Sequence, residues 1–348
     1  MTPSSKAKDS APPVRVVRYT GRETDAARLY QPLPADLLVT SRPLPFDVYQ
    51  RSKDEYLEML VSAGGTAPLS LRNQLKRAGA RAKRFYVSLD QKDAFLRFEE
   101  ETTPEILADE EIPVSAKCNV LLNLTTHLSQ ELFEKPNALA IHRQRGNVSR
   151  LVDFTLREPA ALRSLLTLTH HDYQTYTHSV NVGLYALTIA SEHFERIGKP
   201  RHSLTEVVVG FFLHDIGKSQ IPPHIINKNG PLTQEEWVEM RNHPVYGYRI
   251  LESEKALSPE VGVVVLQHHE RISGDGYPHC LGGDKVHLYA RICAVADAYD
   301  ALTSHRSYKP TFTPYRALSI MKHHINTQFD PEVFATLVRL MERKSGRL

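Results

Sequence analysis

One stretch constrains this chain more than any other: Gly210 to Lys218, reading GFFLHDIGK. An apolar helical segment runs straight into His214 and Asp215, and a glycine and a lysine follow at once. An adjacent His and Asp cannot both point into a hydrophobic core, and neither is tolerated there unpaired. Two metal-type ligands at the end of a buried helix therefore need partners from elsewhere in the chain. His178, His243, the pair His268 and His269, and Asp297 supply them, all in helical or turn-bounded contexts. The pattern implies a metal centre assembled from several helices.

Composition narrows the setting. The 348 residues are 41% hydrophobic and 24% charged, as in an ordinary globular chain long enough for two domains. A net charge of +3 is compatible with a small anionic substrate and excludes the strongly basic footprint of a DNA- or RNA-polymer binder. Three cysteines, Cys118, Cys280 and Cys293, have no paired spacing, which argues against a disulfide framework or a thiolate zinc knot. Neither a signal-type apolar core nor a run of about 18 apolar residues is present. The expectation is a cytoplasmic protein without a membrane span.

Residues 1–14 are rich in Ser, Pro, Lys and Asp and read as a disordered tail. VRVVRY at 14–19 is a strand or the end of that tail. LPADLLVTSRPLPF at 33–46 predicts a short strand or edge segment, since prolines bound its apolar residues. A mixed pattern follows to residue 59, with Tyr49, Tyr56, Leu57 and Leu60 as inward positions. Leu71 and Leu75 mark an amphipathic helix over 69–78, and RFYVSL at 84–89 predicts a strand, followed by a segment holding Phe95 and Phe98. Residues 15–105 are thus expected to form a small α/β module. It has no ligand spacing and no phosphate-cradling glycines, so its default role is regulation, partner binding or dimerisation, with homodimers or a signalling partner engaged through this region.

Over 110–145 the apolar residues Val114, Val120, Leu121, Leu124, Leu128, Leu132 and Phe133 recur at helical spacing. This predicts a helical linker or dimer seam over 106–150, or one more helix of the main domain. Beyond it, helices are expected at 147–169, 174–194, 203–214, 233–253, 259–268, 286–303, 314–325 and 331–343, punctuated by prolines. Residues 151–348 therefore predict an all-helical domain, and Thr233 with Glu236 predicts a capping box.

Within that domain His178 lies near a helix start, where its ring faces a cleft. Asp215 can bridge two ions, and a two-ion centre can clamp a phosphoryl group. Lys218, released from the helix by Gly217, is a point charge suited to a phosphate oxygen. His268 and His269 can share a site only at a helix terminus. Asp297, inside a very apolar helix, wants a cation; Asp300 is second to it or a helix–helix hydrogen-bond acceptor. Imidazole and carboxylate without thiolate favour Fe or Mn, with Zn or Ni allowed on affinity alone.

HDIGK at 214–218 and HHERISGDGYP at 268–278 together resemble the HD-GYP domain, a subgroup of the HD superfamily of metal-dependent phosphohydrolases, over about residues 165–345. The resemblance implies an all-α HD-type domain, two divalent ions, and hydrolysis of cyclic di-GMP to linear pGpG by a metal-bridging hydroxide. It implies His178, His214, Asp215, His243, His268, His269 and Asp297 as metal ligands. Lys218, Arg306 and Lys309 are implied as phosphate contacts, and Tyr277 as the residue that packs near a guanine. The rival readings are an HD phosphohydrolase for another nucleotide and a catalytically weak cyclic di-GMP sensor. Two departures stand out. Where some relatives carry a glutamate for a third metal, this chain has Gln174, which implies two ions and a reaction ending at pGpG. Ser273 and Asp275 also differ from the family loop, and Asp275 adds negative charge beside an anionic substrate unless it points away.

Overall fold

The computed structural model describes residues 16–17, 29–51, 57–78, 85–169, 174–198, 204–305 and 311–344. The expected tail 1–14, Tyr56, and both Arg306 and Lys309 lie outside the described residues. The chain divides into two compact units, Met1–Val120 and Leu121–Leu348.

The first unit is built on an antiparallel five-stranded sheet in the order β1-β4-β3-β5-β2. Its strands are β1 (Val16–Val17), β2 (Tyr30–Leu33), β3 (Val48–Arg51), β4 (Leu57–Val61) and β5 (Phe85–Ser88). Helices α1 (Leu69–Ala78) and α2 (Lys92–Ala108) accompany it. Phe46 sets the core, with its ring edge-on to Phe95 and Phe98 at 5.6 and 5.5 Å between centroids.

The stretch 33–46 departs from the strand reading. β2 ends at Leu33, and Ala35–Val39 turns into a 3-10 helix with every residue buried. Pro34 ends the strand by removing a ladder donor, and a one-sided edge strand could not bury both Leu37 and Leu38 as this turn does. The mixed pattern after Phe46 resolves into β3 and β4, joined across a bulge at Val48/Tyr49 that blurs the alternation.

The second unit is helical. The division falls within α3 (Val114–Glu134); then come α4 (Ala138–Arg157), α5 (Pro159–Leu168), α6 (Thr175–Arg196) and α7 (Leu204–Leu213). After a 3-10 turn, Ile216–Gln220, follow α8 (Pro223–Ile226), α9 (Gln234–Met240), α10 (His243–Ser253) and α11 (Pro259–Gln267). The last are α12 (Leu288–Thr303), α13 (Pro314–Lys322) and α14 (Pro331–Lys344). The helices expected over 110–145 and 147–169 are re-divided: Pro136 separates α3 from α4 and Pro159 opens α5, since proline is accepted at a helix start and not in its interior. The expected helix 233–253 likewise breaks before His243, which opens α10 with Pro244 behind it.

α7 is the centre of this unit. Leu204 and all seven residues from Val207 to Leu213 are buried, so it is wrapped on all sides, with α4, α6 and α11 packed against it. α6 also packs on α12 and α14. This arrangement brings the first turn of α6, the end of α7, the start of α10, the end of α11 and the middle of α12 to one place. Among the described residues, no helix is long and apolar enough to cross a membrane.

Candidate metal centre

The seven residues expected as ligands converge. Two groups have ligand atoms close enough to share an ion: His178, His214 and Asp215, and Asp215, His243, His268 and His269. Asp215 belongs to both. Asp297 lies across them, with Oδ1 3.0 Å from His178 Nε2 and Oδ2 3.9 Å from His269 Nδ1.

Sequence-local geometry fixes the histidines. His214, His243 and His268 each place Nδ1 on the carbonyl three residues back: Phe211 at 2.8 Å, Met240 at 2.8 Å and Val265 at 3.0 Å. A carbonyl only accepts, so each Nδ1 carries a proton, and in the metal-binding form each ring presents a bare Nε2 to the interior. His178 follows the same rule through a carboxylate, with Nδ1 2.7 Å from Asp300 Oδ2. Asp300 is itself held, its Oδ1 accepting from Asn181 Nδ2 and Ser304 Oγ, both at 2.9 Å.

Bare nitrogens facing one another are unfavourable without a cation. His243 Nε2 and His268 Nε2 are 3.1 Å apart. A proton cannot resolve the clash on His268, because burial, and then the neighbouring His269, His214 and His243, hold its pKa well below the usual histidine value. Among the described residues, His214 Nε2 and Asp215 Oδ1 are buried without a hydrogen-bond partner, although His243 Nε2 lies 3.3 Å from Asp215 Oδ1. Burial alone would raise the Asp215 carboxyl, but the Lys218 ammonium and His214 overcome it and hold the pKa well below the usual range. Asp297 is held low in the same way by His178 and His269 against its burial. Two ionised carboxylates amid aligned imidazole lone pairs are a donor set that fits divalent cations.

Lys218 Nζ donates to Asp215 Oδ2 at 2.5 Å, so it faces the centre through that carboxylate. Gly217 is dictated by packing: a Cβ there would fall 1.9 Å from His243 O and 2.4 Å from Gly247 N. The glycine of HDIGK thus lets the turn carrying Asp215 lie flat on the start of α10, which carries His243. Gln174 caps α6 one turn before His178, its N–H donating to Thr177 Oγ1 at 2.8 Å. The capping box at Thr233 forms as expected, with Glu236 Oε2 accepting from the Thr233 N–H at 2.7 Å.

The Tyr277 ring stacks on His269 at 4.7 Å with 30° between planes and stands edge-on to His243 at 6.3 Å. Its loop folds back on the HHE stretch. Glu270, buried, accepts from the N–H groups of His279 at 2.7 Å and Leu281 at 2.9 Å. A Cβ on Gly276 would fall 2.5 Å from Glu270 Cα, which explains that glycine. Asp275 is exposed and engaged by Ser273 Oγ and, at 3.0 Å, by Arg271 Nη1, so its charge is compensated within the loop. Sequence reasoning missed Asn181, Ser304 and the role of Glu270. No local pattern marks the first two, whereas a glutamate directly after two ligand histidines was a usable signal.

Residues 162–333 match the HD domain family. That match, with HDIGK at 214–218 and HHERISGDGYP at 268–278, supports the HD-GYP resemblance. Over 216 residues it is 40% identical to a cyclic di-GMP phosphodiesterase of Pseudomonas aeruginosa, a match covering 58% of this chain and 51% of that one. It is 38% identical over 146 residues to the cyclic di-GMP phosphodiesterase response regulator RpfG of Xanthomonas campestris, covering 42% and 39%. The chain thus spans about half the length, or less, of these curated relatives. An HDG"Y"P protein of Bdellovibrio bacteriovorus has the same fold, with a TM-score of 0.64 at 18% identity over 90% of this chain and 99% of that one.

Proposed function

We propose that this chain is a metal-dependent phosphodiesterase that hydrolyses cyclic di-GMP to linear pGpG. The observation that carries the reading is the pair of ligand groups sharing Asp215, each with imidazole nitrogens turned inward by their own backbone or by Asp300. The names of the relatives support the substrate. His178, His214, Asp215, His243, His268, His269 and Asp297 would hold two divalent ions, Fe or Mn by ligand type, with Asp215 common to both. When bound, such ions lower the pKa of water and neutralise charge on phosphoryl oxygens.

The chain's own residues do the rest. Asp300 fixes the ring of His178, and the three backbone carbonyls fix His214, His243 and His268, so none of these four rings has to reorganise. Lys218 is the cation at the edge of the centre, placed to exchange its bond to Asp215 for a phosphate oxygen. Tyr277, braced on His269, is assigned a place near a guanine on the family resemblance. Arg306 and Lys309 are assigned to the substrate phosphates on the family resemblance. Water adds across one P–O3′ bond: a P–O bond forms, the ester bond breaks, and the 3′ oxygen leaves with a proton. Gln174 gives no anionic ligand for a third ion, which supports an end point at pGpG. Residues 151–348 are assigned as the catalytic domain and 15–105 as a regulatory or dimerising module.

Turnover of cyclic di-GMP by the chain loaded with Mn or Fe, against a His214→Ala/Asp215→Ala double variant, tests the reading. Formation of pGpG by the native chain alone is expected. A metal-replete chain that binds the dinucleotide and releases no pGpG is a sensor, and the enzyme reading then fails.

A further inference from the structure

Among the described residues, several cations on the elements of this site are already committed to carboxylates. Lys218 is bonded to Asp215, Arg271 to Asp275, and Lys228 to Glu236. Arg241, exposed at the end of α9, has no ion pair and no side-chain hydrogen bond among the described residues. Its guanidinium meets an aromatic ring: Cζ lies over the Tyr277 ring, 5.8 Å from the centroid. Its backbone leads within two residues to His243, and the capping box of α9 fixes the helix that ends on it.

The Tyr277 ring beneath this guanidinium is itself braced. It stacks on His269, the Tyr277 N–H donates to His269 O at 3.2 Å, and Glu270 anchors the rest of the loop. A guanidinium seated on an aromatic face keeps its N–H edges free for an anion. On a fixed platform, little ordering remains to be done when the anion arrives.

We propose that Arg241 is a substrate-contacting residue: it takes the phosphodiester of the cyclic dinucleotide that is not being cleaved, with its guanidinium docked on Tyr277. The inference rests on the substrate reading above. A cyclic dinucleotide carries two phosphodiesters, and the centre with Lys218 accounts for the one undergoing attack. The second draws on cations outside the centre; Arg306 and Lys309 are assigned to the phosphates by resemblance alone, and a forked, always-charged donor held on Tyr277 adds a fixed contact that suits a phosphodiester better than an ammonium.

The test uses the full chain loaded with Mn and two substrates: cyclic di-GMP, and bis(4-nitrophenyl) phosphate, which has a single phosphodiester. For Arg241→Ala, KM and Kd for cyclic di-GMP are expected to rise about tenfold, as for loss of a charged hydrogen bond, with kcat nearly unchanged. Turnover of the aryl diester stays at the native rate. Arg241→Lys recovers part of the affinity and Arg241→Gln none, and Arg249→Ala, an exposed arginine on α10, matches the native chain. An Arg241→Ala variant with native KM and Kd for cyclic di-GMP overturns the inference. So does an equal loss on both substrates, which marks a merely structural effect. A native chain that cleaves the aryl diester yet neither binds nor cleaves cyclic di-GMP refutes the substrate reading itself, before any variant is compared.

Discussion

Replacing Asp300 with asparagine separates tautomer control from everything else at this centre. The carboxylate accepts three hydrogen bonds, from His178 Nδ1 at 2.7 Å on one oxygen and from Asn181 and Ser304 at 2.9 Å on the other. An amide has one oxygen and one NH2 group. If the oxygen keeps Asn181 and Ser304, the NH2 faces His178 Nδ1, and that nitrogen must give up its proton to accept. The proton then moves to Nε2, the atom that should bind metal. Loss of such a partner typically costs about 10–100-fold in metal affinity, or about 1.4–2.8 kcal/mol. Competition titration of Mn(II) against a chelator measures the affinity, and 15N chemical shifts of His178 in the metal-free protein report the tautomer. Ser304→Ala is the control: it removes one neutral donor, costs about 1 kcal/mol of folding stability, and leaves both readouts at native values. Native metal affinity in Asp300→Asn, or a His178 that keeps its proton on Nδ1, would falsify this reasoning.

Three further outcomes follow from the same structure. Gly217→Ala places a Cβ 1.9 Å from His243 O, so urea denaturation should reveal a loss at or above the upper end of the roughly 1–3 kcal/mol usual for overpacking, with weakened metal binding as His243 is displaced; a stable variant with native metal affinity contradicts the packing argument. Glu270→Gln cannot accept from both loop N–H groups, so KM for cyclic di-GMP should rise while metal affinity holds, and an Arg241→Ala/Glu270→Gln double variant should lose less than the sum of the two, since both act through Tyr277. His193, buried beside Arg196 and away from the centre, has its pKa lowered by burial first and then by that cation. The unfolded chain therefore takes a proton near pH 6.5 that the folded one refuses, and stability falls as pH drops from there toward the lowered value, by at most about 1.4 kcal/mol per unit; His193→Gln should remove that slope, and an unchanged slope assigns it elsewhere.

What was readable in the sequence and what was not divide along physical lines. Apolar periodicity gave the helices of the second unit, because α7 and its neighbours bury one continuous stripe or more. Prolines decided where those helices end, and Pro136 and Pro159 cut the two long readings that periodicity alone would join. The Ala35–Val39 turn was hidden because a short apolar run between prolines looks the same as a strand and as a buried 3-10 turn. At the site, HDIGK and HHE were legible since each carries two ligands side by side. Asp300 could be named but not assigned, as its partner His178 is 122 residues away. Asn181, Ser304 and Arg241 carried no signal: an asparagine in an apolar helix or an arginine at a helix end becomes informative only when folding sets a partner opposite it.

Metal count per chain addresses the central claim most directly. Crystals of the metal-loaded protein, recorded at the iron and manganese absorption edges, should give two anomalous peaks per chain on either side of Asp215, one toward His178 and His214 and one toward His243, His268 and His269. A single peak, or a third beside Gln174, would contradict a two-ion centre built on Asp215.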